Sequence, residues 1–304
     1  MKLHIAAFLG LVFFLFSSCS SSKRIMLVSD MSNLAYSELE EANQCIISGK
    51  YDRAEDLLNS AFKKAWSVDN TELLCKVMLS GIVLKISTPI VEDEGEAAQK
   101  ESQSLTSFLY SSPEEILSDT KKLAGRHGDK NTKNFLSNLC LIYEVRVNIE
   151  KEKSQGNLLS SQNIPLYLSI IDAAEKNISK EPYYLAYAYR TRGDVCLYAG
   201  DYSQAEKNFQ EAAKIHTKER YLYEIPLDWY CIARSFSLAG KKNQAVDAIL
   251  TALKYDKDAE NTCGIASDYL AYSKILLKGN PTEEEKKLAE EVEKWSEKIL
   301  MTEK

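Results

Sequence analysis

Seven cysteines and three histidines are the residues of this chain best equipped for nucleophilic or metal chemistry, and their spacing favours neither. Cys45, Cys75, Cys140, Cys196, Cys231 and Cys263 are scattered, with no Cys-x-x-Cys pair, so no zinc framework is expected. His4 lies in an apolar leader, His127 in a Gly125-Arg126-His127-Gly128 turn, and His216 late in a helix. Neither of the last two has a metal-ligating residue four positions on. The chain contains no His-Glu-x-x-His, no Gly-x-Ser-x-Gly and no phosphate-cradling glycine loop. Glu92-Asp93-Glu94 gathers carboxylates but lacks the glycine and ligand spacing of a calcium loop, and reads as a solvated acidic segment. The expectation is a protein that is not an enzyme, holds no metal and needs no cofactor.

Cys19 is the residue on which chemistry is expected to be done. Lys2 precedes an apolar run from Ile5 to Phe16, which is too short for a bilayer span of ~20 residues and suits a signal-peptide core. Phe16-Ser17-Ser18-Cys19 follows, and it resembles a bacterial lipobox, although that motif usually opens on Leu. The resemblance implies cleavage after residue 18 and acylation of Cys19, with each buried methylene adding ~0.8 kcal/mol to membrane retention. An uncleaved apolar anchor is the alternative, and both place the rest of the chain outside the cytoplasmic membrane, in the cell envelope. Residues 19–33, with Ser20, Ser21 and Ser22, read as the lipidated N-terminus and tether. Without residues 1–18 the chain carries 37 basic against 44 acidic residues, a net of −7 that argues against nucleic acid as a partner.

The elements behind these residues are helical. The chain has only 12 Gly and 6 Pro, and no convincing alternation of apolar and polar residues. Three segments align without gaps: GKYDRAEDLLNSA from Gly49, GDYSQAEKNFQEA from Gly200 and GKKNQAVDAILTA from Gly240. Each places Gly, Ala, a large apolar residue and Ala at one spacing: Gly49/Ala54/Leu58/Ala61, Gly200/Ala205/Phe209/Ala212 and Gly240/Ala245/Ile249/Ala252. The Gly is expected to end one helix in left-handed backbone. Asp52, Ser203 or Asn243 lies near the next cap. Small residues seven apart let the paired helix approach, and the large one fills the groove between them. Cysteines 45, 75, 196 and 231 fall on packing positions of this register and are expected to be unpaired core residues.

Trp229-x2-Ile232-Ala233-x2-Phe236, then Ala245-x3-Ile249, resembles the tetratricopeptide (TPR) repeat of ~34 residues. Tyr189, Gly193, Tyr202, Ala205 and Phe209 match it next best, and about six residues around Tyr221 to Pro226 lengthen the spacing between the two. The resemblance implies an all-α right-handed superhelix, or solenoid, of about five or six helix pairs over residues 34–304. The clearest repeats cover 34–66, 186–217 and 226–257, an irregular insertion spans about 87–131, and a polar capping helix covers 282–301. It further implies a concave groove lined by first helices, with Tyr187, Arg190, Asp194, Tyr198, Tyr230 and Arg234 facing a partner. The function expected is a membrane-anchored protein-binding scaffold or adaptor of the bacterial envelope. The rival is an accessory lipoprotein of a solute-uptake system with a ligand cavity inside the superhelix, although a small-molecule ligand is the less expected partner.

Overall fold

The computed structural model describes residues 30–88, 108–154, 159–160 and 162–302, and in it all three aligned glycines end helices. Their φ angles are 70° at Gly49, 78° at Gly200 and 75° at Gly240, the left-handed region that the repeat spacing requires. The next N–H bonds back to the carbonyl five residues earlier: Lys50 to Cys45, Asp201 to Cys196 and Lys241 to Phe236, each at 2.9 Å. The same turn recurs without glycine. Asp69, Arg220 and Glu260 take φ of 52°, 62° and 52°, and Asn70, Tyr221 and Asn261 close the equivalent bonds to Ala65, His216 and Asp256.

Twelve α-helices follow one another among the described residues. They are α1 (Asp30–Ile47), α2 (Tyr51–Ser67), α3 (Thr71–Ser87), α4 (Pro113–Arg126), α5 (Lys130–Ser154) and α6 (Asn163–Ile178), then α7 (Pro182–Tyr198), α8 (Tyr202–Glu219), α9 (Glu224–Leu238), α10 (Lys242–Asp258), α11 (Thr262–Leu276) and α12 (Glu283–Thr302). Each packs on the next, and α1 with α3, α3 with α5, α5 with α7, and α9 with α11 also meet. Six consecutive helix pairs thus stack as a helical solenoid, with odd-numbered helices forming a common layer. No helix among the described residues is long and apolar enough to cross a membrane.

The alanine register is the packing register. Ala54, Leu58, Ala61, Ala205, Phe209, Ala212, Ala245 and Ala252 are wholly buried, and Ile249 nearly so. The expected caps need correcting by about two residues. Helices start at Tyr51, Tyr202 and Lys242, so Asp52, Ser203 and Asn243 lie in the first turn instead. The side chain that does cap is Asp201, which accepts from the Gln204 N–H at 3.1 Å; Asn70 and Asn261 do the same for α3 and α11.

The irregular insertion contains a 3-10 turn, Phe108–Tyr110, and α4, which opens on a Ser112/Glu115 capping box ahead of Pro113. Both pack around α3, whose buried residues lie on every side, from Leu73 to Leu84. Terminal α12 buries Ala289, Val292 and Ser296, while Trp295 and Met301 stay 52% and 72% exposed, with Leu288 and Leu300 also exposed among charged residues. Residues 1–18, expected to be a signal segment, Cys19 and Glu92-Asp93-Glu94 lie outside the described residues.

The stack winds far enough to bring its first pair against later ones. A Cβ built on Gly49, in the α1–α2 turn, would lie 3.1 Å from Cys263 Sγ at the start of α11. Residues of α1 and of the α8–α9 turn line one cleft.

Candidate binding cleft

Tyrosines converge where α1, α3, α7 and the α8–α9 turn meet. Tyr36, Tyr183, Tyr184, Tyr221 and Tyr223 line a cleft of about 420 Å³, with Lys76 in one wall. The turn that supplies Tyr221 and Tyr223 is the stretch that lengthens the repeat spacing. Arg220 in left-handed backbone redirects the chain there, and α9 begins at Glu224. Tyr183 meets Tyr184 and Tyr221 edge-on, with ring centroids 5.3 and 5.5 Å apart. Its hydroxyl donates to Glu224 Oε1 at 3.0 Å, which fixes the ring. Burial raises the pKa of Tyr36, Tyr184 and Tyr221, so these phenols are neutral donors at physiological pH.

A second chamber of about 230 Å³ lies behind, inside the curl of the odd-numbered helices. It shares Asn43, Ile47, Tyr183 and Glu224 with the outer cleft. Its wall includes Tyr143 and Tyr187, stacked at 4.7 Å, and Arg146 and Arg190. The Tyr187 hydroxyl is buried and finds no hydrogen-bond partner among the described residues.

The six residues expected on one open face are divided between three environments. Tyr187 lines the inner chamber. Arg190 is 9% exposed and donates to Glu224 Oε2 at 2.7 Å and to Asp228 Oδ1 at 2.7 and 3.0 Å. Asp194 is buried and pairs with Arg146 of α5. Tyr198 is half-buried between Lys153 and Arg234, each 5.5 Å from its ring centroid. Arg234 is exposed, and Tyr230 packs half-buried against the core of α7 to α11. The spacing of 187, 190, 194 and 198 does put them on one stripe of α7. The expected open groove fails because the superhelix curls tightly, so α5 and α9 reach across that stripe and satisfy its charges.

The resulting network is electrostatically closed. Burial works against the Arg190 charge, but Asp228 and Glu224 outweigh it and hold the guanidinium well above its ordinary pKa. Burial likewise raises Glu224, and Arg190, His216 and the Tyr183 hydrogen bond together more than reverse it. His216 Nδ1 lies 2.6 Å from Asp228 Oδ2 and 3.4 Å from Arg190, with both His216 and Asp228 almost wholly buried. This arrangement ties α7, α8 and α9 together and leaves the imidazole oriented by a carboxylate. Sequence reasoning missed it. The available signal was Glu224 and Asp228 spaced i, i+4 on one helix opposite Arg190 on another, with Arg146 and Glu150 repeating that spacing on α5.

Cys45, Cys75, Cys140 and Cys196 are buried and Cys231 half-buried, and all five are free thiols. Desolvation raises Cys75, Cys140 and Cys231 to about 12, so they pack as small apolar groups. Among the described residues no group of three or more His, Cys, Asp or Glu side chains is placed to hold a metal. The chain matches no protein-family model and no curated protein.

Proposed function

We propose that this protein is a TPR-type right-handed superhelix that acts as an envelope scaffold, held at a membrane through acylated Cys19, and that it takes a segment of a partner protein into the tyrosine-lined cleft. One observation carries the reading. Five tyrosines from three separate elements converge on one accessible cleft, and Tyr supplies large, rigid contact area with a polar tip, the profile of a protein-binding hot spot. The repeated left-handed turns and the Ala/large/Ala packing support the TPR assignment.

Site-specific photo-crosslinking tests it. A benzoylphenylalanine at Tyr223 should trap one stoichiometric envelope protein, and the same group at Trp66, exposed on α2, should not. Equal labelling from both positions, or none from the cleft, refutes the cleft as the partner site. The anchor is tested separately: Cys19→Ala should accumulate as a precursor that takes up no labelled palmitate.

The second reading, a small-molecule carrier, draws on the Tyr187 hydroxyl. A buried donor without a partner costs ~1–3 kcal/mol unless something accepts from it, and the inner chamber could hold a small polar solute. Native mass spectrometry of protein purified from its own envelope would favour this reading if a mass of small-molecule size stayed bound and was lost in Tyr187→Phe.

A further inference from the structure

We propose that the outer cleft is selective for a cationic segment, receiving a lysine or arginine side chain of the partner among its tyrosines. The inference rests on the cleft being the partner site. Its rim carries Glu40, Glu181 and Glu219 around Tyr221. All three carboxylates push the Tyr221 phenol up, after burial, so each is close enough to set the potential there. Glu40 and Glu181 are exposed, and neither forms an ion pair with another described residue. Glu219 pairs only with its chain neighbour Lys218, which is 83% exposed. Such a pair is weak and readily exchanged.

The wall of the cleft already holds one cation in the manner proposed. Lys76, 8% exposed, places its ammonium 5.8 Å from the Tyr36 and Tyr184 ring centroids and 5.6 Å from that of Phe135. Glu72 neutralises it at 2.6 Å. Ring faces and a carboxylate therefore stabilise a nearly buried ammonium beside the cleft, and Glu40, Glu181 and Tyr221 offer the same groups to an incoming one. Arg220 also lines the cleft and forms no ion pair with a described residue. It opposes an incoming cation, so its removal should strengthen binding.

The test uses the full chain in detergent and two fluorescein-labelled decapeptides, one alternating Lys and Gly and the other Glu and Gly, read by anisotropy. The lysine peptide should bind and the glutamate peptide should not, and affinity should fall with added salt. Glu40→Gln with Glu181→Gln should weaken it about tenfold, while Arg220→Gly should tighten it a few-fold. Glu290→Gln with Glu293→Gln, which removes the same charge from exposed positions of α12, should bind like the parent. Equal binding of the two peptides, or equal weakening by the two double variants, overturns the proposal, since the attraction is then general charge. If the Tyr223 crosslink to the envelope partner persists undiminished in Glu40→Gln/Glu181→Gln, the cationic inference fails and the cleft reading stands. If no crosslink forms from Tyr223 in the parent, the cleft reading itself fails.

Discussion

A Cβ placed on Gly193 would lie 2.5 Å from the Phe209 ring, so the two helices of the fourth pair meet at a position with no room for a side chain. The equivalent positions elsewhere are Ala233 opposite Ile249 and Ala42 opposite Leu58, all buried. Glycine occurs where the groove filler is aromatic, and alanine where it is aliphatic. Gly193→Ala should therefore overpack the pair and cost ~1–3 kcal/mol in urea unfolding. Gly193→Ala with Phe209→Ile should recover most of that loss, because it recreates the combination at 233 and 249. A double variant no more stable than Gly193→Ala alone would show that the two residues do not act as a pair.

This pairing was half visible in the sequence. Phe209 and Ile249 stood out by their spacing from flanking alanines, which is periodic and local. The helices of the aligned segments followed for the same reason. What spacing could not reveal was the curl of the stack. Arg190 and Asp194 lie on the stripe expected of a groove, yet the approach of α5 and α9 depends on small angles accumulated over several pairs, and no single segment encodes it. The cleft was illegible for a related reason: Tyr36 and Tyr221 are far apart in the chain and meet only because the winding closes. The turns at Asp69, Arg220 and Glu260 were hidden because no glycine marks them.

Those three turns predict a gain in stability. Side chains other than Gly, Asn or Asp pay roughly 1–2 kcal/mol in left-handed backbone, partly offset by the greater unfolded freedom of glycine. Glu260→Gly should raise stability by ~0.5–1 kcal/mol, and Asp69→Gly by less, because a short polar side chain tolerates this region better. Thermal unfolding of both variants checks the order. A lower midpoint for Glu260→Gly would mean that its side chain contributes more than its backbone costs.

Arg190 and Arg234 should behave oppositely despite their matching expectation as surface arginines. Arg190 is the buried counter-charge of Glu224 and Asp228, and its removal strands two carboxylates. Arg190→Ala should cost ~3–5 kcal/mol in chemical denaturation. Arg234 is exposed, with a long hydrogen bond of 3.4 Å to the Tyr198 hydroxyl, and Arg234→Ala should cost less than ~1 kcal/mol. Similar small losses from both would show that the Arg190 network is not a structural tie.

Asp256 of α10 and Asp268 of α11 form a buried carboxyl pair, 4% and 2% exposed. Asn261 Nδ2 donates to Asp256 Oδ1 at 2.8 Å, but Asp268 Oδ2 has no partner among the described residues. Two carboxylates can only accept, so a bond between them needs a proton on one. Burial first, then the neighbouring Asp256 charge, push Asp268 far above the usual carboxylate range, and it is the group that keeps the proton. The sign follows from proton counting. An unfolded Asp268 loses its proton near the ordinary aspartate value of 3.8, and the folded one holds it to well above the carboxylate range. Across that window the native state binds more protons, so this group's contribution to stability is fully present at acid pH and declines as pH rises. Asp268→Asn keeps an amide donor for Asp256 and removes the titration. Its unfolding free energy should fall less steeply than that of the parent between pH 5 and 8, with the variant relatively more stable at the alkaline end. Parallel pH profiles, or a parent that gains stability over the variant as pH rises, would place the proton elsewhere.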